Sequence, residues 1–448
     1  MTMSLVELAE SVTRQALADG ANAADVLAVE GTDFHVTVRQ GEIENFTDAG
    51  SKALGLRVFV GRRTATAHTS DFSAAALAAV SRTVVEMARV TSEDPAAGLP
   101  DATPAPDAID LALHDPSLAE LPTPERIAWA RRAEAAARAV SPEITNSQGA
   151  TFACAEESIA FANSLGFLGG YRASSASLSV VPVAMRDGIM QRDYWYTAGR
   201  GLGDLDAPEE VGRIAAERTL RRLGARQIAT CEAPVVFDPE TAAELLGHLF
   251  QALSGYAVFR NATFLKGRIG ETVASPLVTV IDEGRRRRGL GARPFDGEGL
   301  ATRTNIPVED GVLRHYLCDT YSARRIGASA TGSARRGVAG GPSVGAGDLC
   351  LRPGTNSPEA IIGEVERGLL VTDLIGFGVN LVSGDYSQGA VGQWIEHGRP
   401  VHPVHEVTIA GNLNSMLRDI DAVGNDLAFR GAVAAPTLRI RRMIISGA

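Results

Sequence analysis

The chain has 448 residues, long enough for two or three domains and a sizeable core. Its composition, 45% apolar and 21% charged, is that of a soluble globular protein, and a formal charge of -10 argues against a general nucleic-acid binder, which would carry a basic stripe. Cys154, Cys231, Cys318 and Cys350 lie far apart with no CxxC pair, a pattern that fits reduced thiols better than a disulfide framework or a zinc ribbon.

The opening stretch "MTMSLVELAESVTRQALADGA" predicts an amphipathic helix from about Ser4 to Asp19, and its internal acidic residues are foreign to a signal peptide. No apolar run approaches the length of a membrane span, so the expected location is the cytoplasm. "DFHVTVRQGEIENF" alternates as strand, turn at Gln40-Gly41, and strand; "KALGLRVFVGRRTATAHTS" continues as a second hairpin turning near Gly61. A second helix follows from Ser73, with Ala76, Leu77, Val80, Val84, Met87 and Ala88 on one face.

Residues 91–126 break this order with seven prolines and read as a linker or wrapping arm. A helix over Pro124–Val140 comes next, then strands at Ile144–Ala153 and Ser158–Asn163. Longer strands turn at Asp187-Gly188, a strong hairpin signal, and a helix covers Ala207–Leu223. Helix, four strands, helix thus occurs twice, which predicts an internally duplicated α+β domain over residues 1–227. A second domain, 228–448, begins with the strand "APVVFD" and the helix "DPETAAELLGHLFQALSG". Asp238 is its natural N-cap, Pro239 suits the first helical position, and Ala242, Leu245, Leu246, Leu249, Phe250 and Leu253 form a buried stripe. The remainder is rich in glycine and short strands, with turns at "VEDGVL" and "IEHGRP" and one further helix, Pro358–Arg367, capped by Ser357. That predicts a β-rich curved sheet or open barrel carrying two helices.

Four features are candidates for chemistry. His248 stands in line with Glu244 and Gln251, off the apolar stripe, but a two-histidine zinc helix needs a second imidazole on that face and none is present. Gly341–Gly345 spells G-x-S-x-G around Ser343, without the strand and helix that a serine elbow requires, and reads as a mobile loop. His397, His402 and His405 are close in sequence, yet His402 and His405 point to opposite faces of a strand stiffened by Pro400 and Pro403. Arg285, Arg286, Arg287 and Arg288 form either a solvated loop or a glycine-flanked lid that grips carboxylates in two-pronged pairs. No phosphate-cradling loop occurs.

The blocks "FLKGRIGETVASPLVTVIDEG", "ARPFDGEGLATRT", "DGVLRHYLCDTYSARRIG", "RGLLVTDLIGFGVN", "GDYSQGAVGQWIEHG", "PVHEVTIAGNL" and "DIDAVGNDL" follow in order and resemble the C-terminal domain of the TldD/PmbA family, in its PmbA (TldE) branch. The resemblance is strong over Ala233–Gly447 and looser through "EGTDFHVTVRQGEIENFTDAG" and "TATAHTSDFS". In that family the TldD branch is a zinc metallopeptidase subunit with a His-Glu-x-x-x-His motif on the first helix of this domain and a cysteine ligand near the C-terminus. Here Leu246 and Gly247 stand for the first histidine and glutamate, Gln251 stands for the second histidine, and "DLAFRGAVAAPTLRI" has no cysteine.

None of these side chains replaces an imidazole and carboxylate set at zinc, and without the metal no water becomes nucleophilic at neutral pH. The resemblance therefore implies a non-catalytic subunit of a cytoplasmic metallopeptidase complex. This chain would have no cofactor of its own, zinc would belong to a TldD-type partner, and the substrates would be unfolded or modified peptides. The family's label as a modulator of DNA gyrase reads as indirect. Residues expected to touch an extended peptide are Arg260, Asn261, Asp385, Ser387, Asn412, Asn425 and Asp426, although Asn-Asp and Gly-Asp pairs also build turns. The alternatives are a self-sufficient metallopeptidase and a homodimeric peptide-binding modulator without peptidase activity.

Overall fold

The computed structural model describes residues 3–102 and 109–447, so residues 103–108 of the proline-rich segment lie outside it. In the first half the order is α1 (Leu5–Ala18), β1 (Ala23–Arg39), β2 (Glu42–Val60), β3 (Arg63–Thr69) and α2 (Ala74–Val90). After the arm and a short α3 (Ser117–Glu120) come α4 (Thr123–Ala139), β4 (Ile144–Asn163), β5 (Leu168–Arg186), β6 (Ile189–Arg192), β7 (Trp195–Gly199) and α5 (Pro208–Arg221). Ser4 and Glu7 form a reciprocal capping box at the start of α1, and Ser73 caps α2.

The helix–strands–helix order recurs, but the first unit has three strands. The stretch Asp48–Ser51, read from sequence as a break between hairpins, lies inside β2. There β1 pairs with it without interruption from Ala23↔Phe59 to Gly31↔Ser51 and on to Asp33↔Ala49. β4 likewise runs through the expected gap at residues 154–157 because β1 and β5 pair with both of its sides. Ladder bonds, to β1 alone at Asp48–Ser51 and to two neighbours in β4, outweigh local turn propensity.

All seven strands form one antiparallel sheet, β3-β2-β1-β4-β5-β6, with β7 on β5. Both helix pairs cover the same face. Ala24, Val26 and Ala28 of β1 pack with α1 and α2, while Phe34, Val36 and Val38, in the same alternation further along the strand, pack with α4 and α5. Met87, expected on the buried face of α2, is exposed; Ser81 and Val85 are buried in that helix instead.

The second half contains β8 (Cys231–Phe237), α6 (Pro239–Ala252), α7 (Gly255–Phe259), β9 (Val280–Glu283), β10 (Thr304–Glu309), β11 (Val312–Leu313) and α8 (Thr320–Ile326). Then follow β12 (Ala334–Arg335), β13 (Ser343–Val344), β14 (Asp348–Leu351), α9 (Pro358–Gly363), β15 (Arg367–Ile375), β16 (Asp385–Glu396) and β17 (Arg399–Asn412). The chain ends with α10 (Leu413–Arg418), β18 (Ile420–Val423), β19 (Val433–Ala434) and β20 (Leu438–Ser446).

The expected curved sheet closes. β8, β15, β16, β17 and β20 make a complete circuit because Thr408–Ala410 of β17 pair with Ile444–Ser446 of β20. A second sheet has the order β11-β10-β9-β14-β19. α6 contacts both sheets, and its stripe of Ala242, Leu245, Leu246 and Leu249 belongs to one large core that they share. The helix predicted over 358–367 stops at Gly363, since Arg367 already begins β15. Helices α7, α8 and α10 were not expected; each is one or two turns long, too short for a periodic signal.

The face of the large sheet opposite the helices meets the second half. Leu27, Phe161 and Phe167 pack against Phe295. Beside them Asp25 accepts from the guanidinium groups of Arg57 and Arg336, and Arg57 also pairs with Glu298 at 3.6 Å. Gly55 allows this approach: a β-carbon there would lie 2.1 Å from the Val338 carbonyl oxygen.

The proline-rich segment does wrap. Ala97 and Leu99 pack on Phe59, Arg324 of α8 donates to the Leu99 carbonyl at 2.6 Å, and Leu111 and Leu113 pack on Ala292. No described helix is long and apolar enough to cross a membrane.

Candidate functional site

β8 delivers the chain to Asp238, whose carboxylate accepts from the Thr241 amide at 3.0 Å and also meets Arg218 at 3.3 Å. With the apolar stripe of α6 turned into the core, Glu240, Glu244, Gly247 and His248 remain on its open side; a β-carbon at Gly247 would meet nothing within 4 Å. Two elements face that side. From the first half comes the edge strand β7: Tyr196 donates to Glu240 at 2.9 Å and Tyr194 stacks on Tyr196. Arg218 and Arg430 lie over the Trp195 ring, and Arg430 pairs with Glu240 at 3.3 Å. From the barrel comes β16, whose alternation turns Tyr386 and Gln388 toward α6. The Tyr386 ring meets His248 edge-on at 6.2 Å, and the Gln388 amide nitrogen lies 3.3 Å from His248 Nε2.

The electrostatics follow from this enclosure. Partial burial pushes Glu244 up to about 7, and the neighbouring carboxylates Asp373, Asp238 and Glu240 add to the effect, although the residue is exposed at the surface. Burial lowers His248, so its imidazole is neutral at pH 7 and Nε2 accepts from Gln388. Burial also raises Tyr194, to about 12, and Tyr386 still further. The Tyr386 hydroxyl and Gln388 Oε1 are buried without a hydrogen-bond partner, which leaves two orphaned polar atoms beside α6.

A zinc ion does not fit the residues present. Glu240 is held by Tyr196 and Arg430, which leaves one imidazole and one carboxylate, His248 and Glu244, short of the three protein ligands that a catalytic zinc site requires. No group of three or more His, Cys, Asp or Glu side chains converges among the described residues. Of the three positions carried over from the resemblance, Leu246 is in the core, Gly247 borders open space and Gln251 is exposed, so they share no focus. The segment without the cysteine does run beside α6, with β19 packed against the helix.

The other sequence candidates lie elsewhere. His397 is an exposed turn residue paired with Glu366; His402 turns to the Pro403 carbonyl and His405 to Glu406, and the three do not converge. Ser343 lies on the small β12–β13 hairpin, with no helix after it. The arginine run is tied down in this structure. Arg288 pairs with Asp204 at 2.7 Å and Asp115 at 3.2 Å, Arg286 covers the Phe429 ring, Arg287 reaches Asp110, and Arg285 is half-buried. It clasps the arm to the second half, whereas the sequence offered a solvated loop or a lid.

Several expected peptide contacts are turn builders. Asp385 accepts from Ser383 and Asn412, Asn412 caps α10, and Asp426 accepts from the Thr437 amide and hydroxyl. Asn261 adopts positive φ and accepts from Lys266, and Arg260 lies over the Tyr256 ring. Asn425 is exposed on its loop, and Ser387 points outward between Tyr386 and Gln388, which turn inward toward α6. Those two residues, with Glu240 and Tyr196, were missed from sequence. The alternation in "DYSQGA" could have separated the inward Tyr386 and Gln388 from Ser387; nothing local announces the approach of β7.

Three family models match in series: PmbA/TldA metallopeptidase domain 1 over residues 24–88, the central domain over 116–223 and the C-terminal domain over 230–447. The metalloprotease PmbA of Escherichia coli is 38% identical over 444 residues, 99% of this chain and 96% of that protein. Among solved structures, a candidate modulator of DNA gyrase from Bacteroides thetaiotaomicron superposes with a TM-score of 0.92 at 28% identity, covering 99% of this chain and 98% of that one. TldE from Thermococcus kodakarensis shares the fold, with a TM-score of 0.85 at 22% identity over 98% of this chain and all of its own. With the three domain models in order and a relative of this identity along its length, the chain belongs to the PmbA/TldD family of metalloprotease-like proteins.

Proposed function

We propose that this chain is the non-catalytic, PmbA/TldE-type subunit of a cytoplasmic zinc metallopeptidase complex, in which a TldD-type partner holds the metal and performs hydrolysis of unfolded or modified peptides. The observation that carries the reading is the open face of α6: the helix assigned by resemblance to the metal presents two carboxylates, of which Glu240 is held by Tyr196 and Arg430, one glycine and one neutral imidazole already bonded to an amide. In place of a ligand sphere, tyrosine, glutamine and glutamate side chains border this face, groups that can hydrogen-bond an extended backbone. An association surface is at hand: Ile375 at the end of β15 and Phe377 and Val382 on the loop that follows stand exposed.

The test is co-expression with a TldD-type subunit, followed by metal analysis of each chain and cleavage assays on an unfolded peptide. The expected result is zinc only in the partner, no cleavage by this chain alone with added zinc, and chelator-sensitive cleavage by the complex. Stoichiometric zinc and sustained hydrolysis in this chain by itself would overturn the proposal.

A further inference from the structure

A cavity of about 480 Å³ lies between the large sheet and the second half, on the side away from the four sheet-covering helices. One wall is aromatic: Phe161 and Tyr171 flank Phe295, with Tyr171 edge-on to it at 5.4 Å. The other wall carries the guanidinium groups of Arg200, Arg293 and Arg335, with the Ser343 loop at its margin.

These three arginines are held by carbonyls instead of carboxylates. Arg200 donates to the Gly289 and Ser174 carbonyls, Arg335 to those of Gly291 and Ala346, and Arg293 makes only long bonds of 3.2–3.4 Å to four carbonyl oxygens. Among the described residues no carboxylate lies within ion-pair distance of any of them. Nearby acids are engaged with backbone amides: Asp296 accepts from Glu298, Leu300 and Ala334, Asp282 from Gly347, and Asp348 from Gly291. Glu157 also lines the cavity, but it is exposed.

Arg293 is 7% exposed, and its Nε has no partner at all. A buried N–H left unpaired is costly, and an incoming oxyanion would relieve it. A fork of guanidinium N–H groups suits a carboxylate, and the aromatic wall suits an apolar body attached to it. The volume falls at the low end of small-ligand sites, about 300–1,000 Å³.

We propose that this cavity binds an organic carboxylate with an apolar body, its source being the C-terminal residue of a peptide, with Arg293 and Arg335 taking the carboxylate and Tyr171 and Phe295 the side chain. The proposal deepens the peptide-holding role above and rests on it for the source of the ligand.

The probe is a fluorescein-labelled pentapeptide ending in a free phenylalanine, compared with its C-terminal amide, on the purified full chain by anisotropy. The free acid is expected to bind at least about tenfold more tightly. R293Q and R335Q should each abolish that preference, and R293K should retain part of it. R335Q, at a position on the exposed small hairpin, serves as the second variant should R293Q fold poorly. Unlabelled N-acetylphenylalanine separates the sources. Weaker competition than by the unlabelled peptide supports a chain terminus, whereas equal competition overturns that assignment in favour of free carboxylates. Equal binding of acid and amide, or variants without effect, would overturn the site itself. Should the complex still cleave peptides in that case, the subunit role stands and only the cavity assignment falls.

Discussion

Asp25, Arg57 and Arg336 show what single residues hold together. Asp25 and Arg336 have fully buried side chains, and Arg57 is nearly so. The network joins the large sheet to a loop more than 300 positions later. Buried ions resist removal of one partner, because the other is left uncompensated in a poorly solvating interior. Arg336→Ala should therefore cost about 3–5 kcal/mol of stability, measured by urea unfolding, whereas Arg442→Ala on the exposed barrel surface should change little.

Glu298, in the same network, provides a pH signature. Burial pushes its carboxyl up to about 7 against the pull of Arg57, with Asp296 nearby adding to the rise. The folded state then holds the proton more tightly than the unfolded chain. Its contribution is fully present below the ordinary glutamate value and is lost as pH rises through about 7. Relative to the parent, Glu298→Gln should gain stability steadily between about pH 5 and 8, by roughly 2 kcal/mol in total. A difference that stays constant across that range would refute the assignment.

At the scale of elements, α6 is where local and tertiary signals agree. Its cap, its proline at the first position and its apolar stripe are all legible, and each is found in place. Asp238→Ala should cost about 1–2 kcal/mol, since it removes the cap and leaves Arg218 short of a partner; chemical denaturation would show it. The long strands teach the opposite lesson. Asp48, Gly50 and Ser51 are turn formers by type, yet they stay extended because β1 supplies partners along the ladder. Barrel closure was illegible for a related reason. Only three residues of β17 pair with β20, and register between distant strands depends on the shape of the whole sheet.

On the scale of the whole molecule, the arm and the arginine run act as one fastening. Arg288 pairs with Asp115, and its amide donates to the Leu111 carbonyl at 2.7 Å, while Arg324 holds residues 96–101 from α8. Arg288→Ala should speed limited proteolysis within residues 109–116 several-fold while leaving global unfolding within about 1 kcal/mol of the parent. An unchanged cleavage rate would deny the clasp. The exposed Phe377 belongs to the proposed association with a TldD-type subunit. Phe377→Glu should reduce recovery of that partner in co-purification without altering this chain's own melting temperature.

The sequence by itself determined the mixed α+β class, the hairpin turns at Gln40-Gly41, Asp187-Gly188, Asp310-Gly311 and His397-Gly398, the capped helices and the family. These depend on neighbours along the chain, or on residue types in order, which one strand of text carries in full. Only the tertiary structure decided that β2 and β4 are unbroken, that the barrel closes, and that Tyr196, Tyr386 and Gln388 meet the open face of α6. It also decided that three arginines scattered over 135 positions wall one cavity. Those outcomes rest on packing and hydrogen bonds between residues far apart in the chain, whose free energy no local pattern encodes.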